Sequence, residues 1–104
     1  MRILLAVLVA ATASTALPTP AEAACGWYAF AGAYKSRRAA QRQARRLNGI
    51  VFDVDASDSP NAGQGWYAVG FGPTDWAQAD TIKRNYRADG VRGAYAARRC
   101  FYGN

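Results

Sequence analysis

The sequence predicts an α+β domain, a four-stranded antiparallel sheet in spatial order 4-1-3-2 with two helices on one face. Three observations carry that expectation. The first is a repeat: Trp27-Tyr28-Ala29-Phe30-Ala31-Gly32 and a helical run closing at Gly49 return as Trp66-Tyr67-Ala68-Val69-Gly70-Phe71-Gly72 and a second run closing at Gly90. A shift of about 40 residues lies in the range where sequence repeats mark structural units. Two copies are too few for a solenoid and suit one compact domain made of similar halves, about 27–55 and 66–99. The second observation is that each half reads strand–helix–strand. The third is a pair of cysteines, Cys25 and Cys100, placed one near each end of the repeat region.

Residues 27–31 are short and aromatic, a strand signature. Ser36 can cap the helix that follows, its hydroxyl accepting from a first-turn amide. Ala40, Ala44 and Leu47 fall at helical spacing and are expected to face the core. Asn48-Gly49 tolerates the left-handed geometry that ends a helix. Residues 50–55 alternate, with Ile50, Phe52 and Val54 to one side and Val51, Asp53 and Asp55 to the other, the pattern of a half-buried strand. Ser57 to Gly65 is a Ser/Pro/Asn/Gly loop and reads as the most mobile part of the domain. The strand at 66–71 places Tyr67, Val69 and Phe71 on one face and Trp66, Ala68 and Gly70 on the other; Pro73 stops it. Asp75 and Gln78 form a cap pair for the second helix. Within it Trp76, Ala79, Ile82 and Tyr86 recur at helical spacing, and Asp89-Gly90 ends it. A last strand is expected from about Gly93 to Arg99.

The simplest closed arrangement of this βαββαβ order is the split βαβ, or ferredoxin-like (RNP-like), fold. In it the first and fourth strands are antiparallel neighbours, so Cys25 before one lies beside Cys100 after the other. The topology therefore brings the two sulfurs together.

Residues 1–23 read as a signal peptide. Arg2 supplies the positive start, Ile3 to Ala13 is too short to span a bilayer, and Ala21-Glu22-Ala23 fits a small-x-small cleavage site. Cleavage after Ala23 leaves residues 24–104 with no transmembrane segment, and the protein is expected to be exported, periplasmic or secreted. Glu22 argues against lipid modification of Cys25. Oxidising surroundings favour a Cys25–Cys100 disulfide over two unpaired thiols. Closing a loop of about 75 residues would contribute roughly 3–5 kcal/mol by chain entropy, a large share for a domain this small.

The net charge is +6; removing residues 1–23 takes one charge of each sign and leaves it unchanged. A basic surface suits anionic partners such as cell-wall polymers, lipid headgroups or nucleic acid, and export makes nucleic acid the weakest of the three. The first helix carries Arg37, Arg38, Arg42, Arg45 and Arg46 with no acid between Lys35 and Arg46. It reads either as a solvated face or as a surface attracted to the anionic envelope. Chemistry is poorly supplied: histidine is absent, and the carboxylates lack a partnered base or nucleophile, so no catalytic residue is assigned. Asp53, Asp55 and Asp58 lack the spacing, glycine and glutamate of a calcium loop. No metal or other cofactor is expected.

Strand phase assigns the two faces. If Tyr67, Val69 and Phe71 pack on the helices with Trp27, Ala29 and Ala31, then Tyr28, Phe30, Trp66, Ala68 and Gly70 remain on the open face, with Asp53 and Asp55 beside them. This is an apolar trough with carboxylates at its edge. The alternative is that the Ser57–Gly65 loop or a terminus covers it. Exposed contiguous aromatics on a small domain usually serve a ligand or partner.

Two stretches resemble one known family. Gly32-Ala33-Tyr34-Lys35-Ser36-Arg37-Arg38-Ala39 is similar to a Gly-small-aromatic turn before an alanine-bearing helix, and Phe71-Gly72-Pro73 with Ala79 is similar to a Val-Gly-Pro-Phe turn. Both belong to the SPOR (sporulation-related repeat) domains of bacterial envelopes, and the resemblance spans about residues 27–99. It implies a non-catalytic module that binds peptidoglycan glycan strands, particularly those stripped of stem peptides, on the exposed sheet face. Tyr28, Phe30 and Trp66 would then stack on sugar rings over Ala68 and Gly70, and Asp53 would accept from hydroxyls. A monomer is expected. The other reading is an envelope protein-interaction or inhibitor module that uses the same aromatic face.

Overall fold

The computed structural model describes residues 23–103. The expected signal peptide thus lies outside the described residues, except for Ala23. The chain forms β1 (Ala24–Tyr34), α1 (Arg37–Leu47), β2 (Ile50–Asp53), a 3₁₀ turn (Val54–Ala56), β3 (Tyr67–Thr74), α2 (Trp76–Ala88) and β4 (Tyr95–Phe101). The four strands pair antiparallel in the order β2-β3-β1-β4, which is the 4-1-3-2 arrangement expected from the repeat. Among the described residues no helix is long and apolar enough to cross a membrane.

Local chemistry sets the helix ends. The Ser36 hydroxyl accepts from the Ala39 amide at 3.2 Å, and Asp75 Oδ1 accepts from the Gln78 amide at 2.8 Å. Asn48 takes the left-handed conformation after α1, with φ 60°. Both helices lie on one face of the sheet, where the core is built mainly from small residues. Ala40 and Ala44 of α1 and Ala79 and Tyr86 of α2 pack with Ala29, Ala31, Val69 and Ala94. Alanines at these positions allow the helices to approach the strands closely, and Tyr86 supplies much of the remaining bulk. Trp76, first in α2, stays 54 % exposed, so its helical spacing with Ala79 does not place it in the core.

Cys25 and Cys100 stand directly opposite each other on β1 and β4 and form a disulfide. Their Cα atoms are 4.0 Å apart, close to the spacing of a non-hydrogen-bonded antiparallel pair. The backbone polar groups of such a residue point away from its strand partner. Those of Cys100 are taken up by Asp58: its amide donates to the Cys100 carbonyl at 3.1 Å, and its Oδ1 accepts from the Cys100 amide at 3.0 Å.

The elements depart from the sequence expectation at several points. β3 runs on through Pro73 to Thr74, which pairs with Trp27, so the proline does not stop it, and β4 begins at Tyr95 and ends at Phe101, two residues later than expected. β1 is longer at both ends, because it finds partners from Ala24↔Phe101 to Tyr34↔Tyr67. β2 ends at Asp53, whose Oδ1 accepts from the Asp55 amide at 3.0 Å and turns the chain into the 3₁₀ turn. The phase of β2 is also opposite to that expected. Val51 pairs with Val69 on the helix side, whereas Phe52 pairs with Ala68 and packs on the outer face with Val54.

The last difference changes the outer face most. β2 lies at one sheet edge and β4 at the other. From Val54 the chain crosses between them, and Ser57 bridges Phe101 while Tyr102 donates its amide to Ala56. The crossing segment lays a second apolar cluster over the sheet.

Candidate functional site

The second cluster consists of Tyr28, Phe30, Val54 and Ala68, with Phe52, Trp66, Ala97 and Phe101 packed against them. Tyr28 is its centre. The ring is stacked with Phe30 at 5.6 Å, meets Phe52 edge-on at 5.3 Å and Phe101 at 5.0 Å, separations at which aromatic pairs attract. Its hydroxyl donates to the Ala24 carbonyl at 2.6 Å. Burial chiefly, and the Asp58 carboxylate secondarily, push the phenol pKa above its ordinary value. Gly72 makes room for this ring: a Cβ there would overlap it and lie 2.7 Å from Tyr28 Cγ.

Beyond this sealed end the outer face opens into a cleft of about 360 Å³, at the small end of the range for ligand pockets. Phe30, Gly32, Ala33 and Ala68 form its floor. One wall is the returning loop, with Ser59, Asn61, Gln64 and Trp66; the other is β4, with Tyr95, Arg99 and Phe101. Phe30 and Tyr95 are cross-strand partners whose rings lie 5.4 Å apart. Phe30 is only 3 % exposed, whereas Tyr95 is 48 % exposed. Tyr95 and Trp66 therefore present ring surface from opposite walls, and Phe30 contributes the base between them.

Hydrogen bonds fasten the loop wall at several points along its Ser/Pro/Asn/Gly sequence. Asp55 Oδ1 accepts from the Gly63 amide at 2.7 Å and the Gly65 amide at 3.1 Å. The Ser57 hydroxyl donates to the Val54 carbonyl at 2.7 Å and accepts from the Ser59 amide at 3.1 Å, and the Ser59 hydroxyl accepts from the Asn61 amide at 3.1 Å. Lys35 spans the loop end: its ammonium donates to the Gln64 carbonyl and sits 4.7 Å from the Trp66 ring centroid. That cation–π contact orients the indole.

The sequence-derived site is thus divided by the structure. Phe30, Trp66 and Ala68 line the cleft. Tyr28 is on the expected face but is 0 % exposed; Phe52 and Phe101 cover it, so it cannot offer a ring to a ligand. Gly70 is buried where β1 and β3 approach; a Cβ would overlap the Ala29 carbonyl and lie 3.0 Å from Phe30 Cα. Its lack of a side chain serves strand contact. Asp53 caps the 3₁₀ turn and is not part of the cleft wall, because the β2 phase turns Phe52 outward in its place. Asp55 and Asp58 likewise commit an oxygen to backbone amides.

Tyr95, Arg99 and the loop residues Ser59, Asn61 and Gln64 were not among the sequence candidates. For β4 the signal was present: pairing Cys25 with Cys100 and counting outward sets Gly26 against Arg99 and Phe30 against Tyr95. For the loop it was not, since its path depends on distant backbone partners. The cleft's aromatic surfaces can hold a flat apolar ring face, and its amides, hydroxyl and guanidinium can bond polar groups at the ring's edge. Comparison of the chain with protein-family models, curated proteins and solved structures finds no match.

Proposed function

We propose that this chain is an exported, non-catalytic SPOR-like module that holds peptidoglycan glycan strands in the outer-face cleft. The observation that carries the reading is the combination of opposed Trp66 and Tyr95 rings with Asn61, Gln64, Ser59 and Arg99 in one opening. A pyranose presents axial C–H bonds to an aromatic face and hydroxyl or acetamido groups at its rim, so it uses both kinds of wall. The size of the cleft favours a ligand of ring dimensions over a folded protein partner, which needs about 800 Å² on each side.

The arginine face of α1 serves the same reading as an unspecific attraction to the anionic wall or membrane surface. Its five arginines have no acid on their own helix. In α2, by contrast, Asp80 pairs with Lys83 at 2.7 Å and Arg84 at 3.3 Å. Arg37 extends over the Tyr67 ring at 5.2 Å and Arg46 donates to Gln43 at 3.0 Å, contacts that leave their charge uncancelled.

Sedimentation of the purified protein with sacculi tests the proposal. Amidase-treated sacculi are expected to retain more protein than untreated ones, and Trp66→Ala to lower retention about tenfold or more, since one lost aromatic platform costs on the order of 1–3 kcal/mol in comparable stacking sites. Added salt should weaken retention without abolishing it, because screening acts on the exposed arginines and spares ring stacking. Absence of retention on either kind of sacculus ends the proposal.

A further inference from the structure

We infer that the cleft selects glycans bearing a free carboxylate and that Arg99 is the residue that reads it. The inference rests on the glycan reading above and specifies the chemistry of the ligand. Arg99 lies on the outer face of β4 opposite Gly26, a partner with no side chain to shield it, and lines the cleft with Phe30, Trp66 and Tyr95. One guanidinium nitrogen, Nη1, donates to the Arg98 carbonyl at 2.8 Å. Among the described residues it forms no ion pair, and no carboxylate lines the cleft.

The nearby acids are held elsewhere by the same network that builds the loop wall. Asp55 faces the Gly63 and Gly65 amides, and Asp58 faces the Cys100 amide. Lys35, fixed over Trp66, adds a second positive charge at the loop end. An aromatic slot with an uncompensated guanidinium has a definite complement: a sugar ring carrying an acid. A guanidinium pairs with a carboxylate through charge-assisted, often bidentate hydrogen bonds, and gains little from a neutral hydroxyl by comparison. In peptidoglycan the stem peptide is amide-linked through a lactyl carboxyl. Its removal exposes one carboxylate on every stripped muramyl residue. Recognition of that group would discriminate stripped from substituted strands by charge as well as by bulk.

The test uses glycan strands released and stripped by an amidase, and the same strands with their carboxylates converted to methylamides. Binding to the purified protein is measured by calorimetry. The wild type should bind free-acid strands about tenfold or more tightly than methylamide strands, the scale of a hydrogen-bonded charge pair. Arg99→Gln should bind both equally, at the methylamide level, while Arg99→Lys restores part of the preference. Arg92→Gln, which removes the same charge from the exposed turn before β4, should keep the preference, separating a local contact from net charge. Equal wild-type affinity for both strands, or a preference that survives in Arg99→Gln, overturns the inference and leaves the glycan reading standing. Binding to neither strand overturns both.

Discussion

The two ends of the outer sheet face carry the same kinds of side chain and put them to different uses. At the disulfide end Tyr28, Phe52, Val54 and Phe101 close over one another, and Tyr28 is lost to solvent completely. At the other end Trp66 and Tyr95 stand apart across an opening, with Phe30 beneath. The difference lies in the chain that passes overhead. Between β2 and β4 the Val54–Asp58 segment is pulled down by backbone bonds to Cys100 and Tyr102 and by the Asp58 carboxylate on the Cys100 amide; beyond it the loop turns back and becomes a wall. Aromatic composition therefore does not itself mark a binding place, because the same rings make a core wherever a segment is stapled across them.

The sharpest way to break this comparison is to truncate one ring from each end. Tyr28→Ala removes a fully buried ring together with its hydrogen bond to Ala24, and should cost about 3–5 kcal/mol, the scale of large-to-small changes at buried aromatic sites. Trp66→Ala removes a half-buried ring and should lower stability by clearly less while abolishing most glycan retention. Urea unfolding followed by circular dichroism measures both midpoints. Equal losses would mean that the cleft end is as much core as the sealed end, and the contrast between the two ends would fail.

A smaller effect is expected from the staple that keeps the cleft open. Asp55 accepts two loop amides through one oxygen, and its replacement in Asp55→Ala leaves both without that partner. Since the carboxylate is exposed, water can replace it in part, and the loss should stay near 1–2 kcal/mol. The larger consequence is for binding, because Gln64 and Trp66 lie on the released segment. Asp55→Asn, which keeps a side-chain oxygen, should recover most of the stability. If Asp55→Ala leaves the unfolding midpoint unchanged, the loop is held by its other bonds and the carboxylate is free for a ligand.

How much of this could be read beforehand depends on how far apart the interacting residues lie. The repeat around Trp27 and Trp66, with the cap residues Ser36 and Asp75, dictates the order of elements, and the two cysteines fix which strands touch. The face of Phe30, Trp66 and Ala68 follows from period-two alternation in β1 and β3. The side chosen by β2 does not. Ile50, Phe52 and Val54 share one side, but Val51 is apolar too, and alternation alone cannot say which set meets the helices. That is settled by the pairing of Phe52 with Ala68, whose small side chain leaves space on the outer face. The closure of the disulfide end was equally hidden. Ser, Pro, Asn and Gly imply a loose loop when read locally, whereas Asp58 finds its partner on Cys100, 42 positions away.

The finest distinction between the ends is chemical, and alkaline pH exposes it. Burial and then Asp58 raise the Tyr28 phenol pKa above its ordinary value of about 10 in the folded protein, so the fold prefers the neutral ring more strongly than the unfolded chain does. A group of this kind contributes stability that is fully present below its unfolded pKa and is lost as pH rises through its folded pKa. Tyr28→Phe keeps the ring contacts, gives up the hydrogen bond to Ala24, and cannot ionise. Near neutrality it should be less stable than the wild type by about 1 kcal/mol. Above pH 10 that deficit should shrink, because only the wild type must hold a phenol neutral against the rising pH. Burial raises the Tyr86 pKa as well, so both proteins lose stability there and the comparison isolates Tyr28. A deficit for Tyr28→Phe that stays constant from pH 7 to 11 would mean that the phenol at the sealed end is wetter than its packing indicates, and the contrast between the two ends would narrow to one of geometry alone.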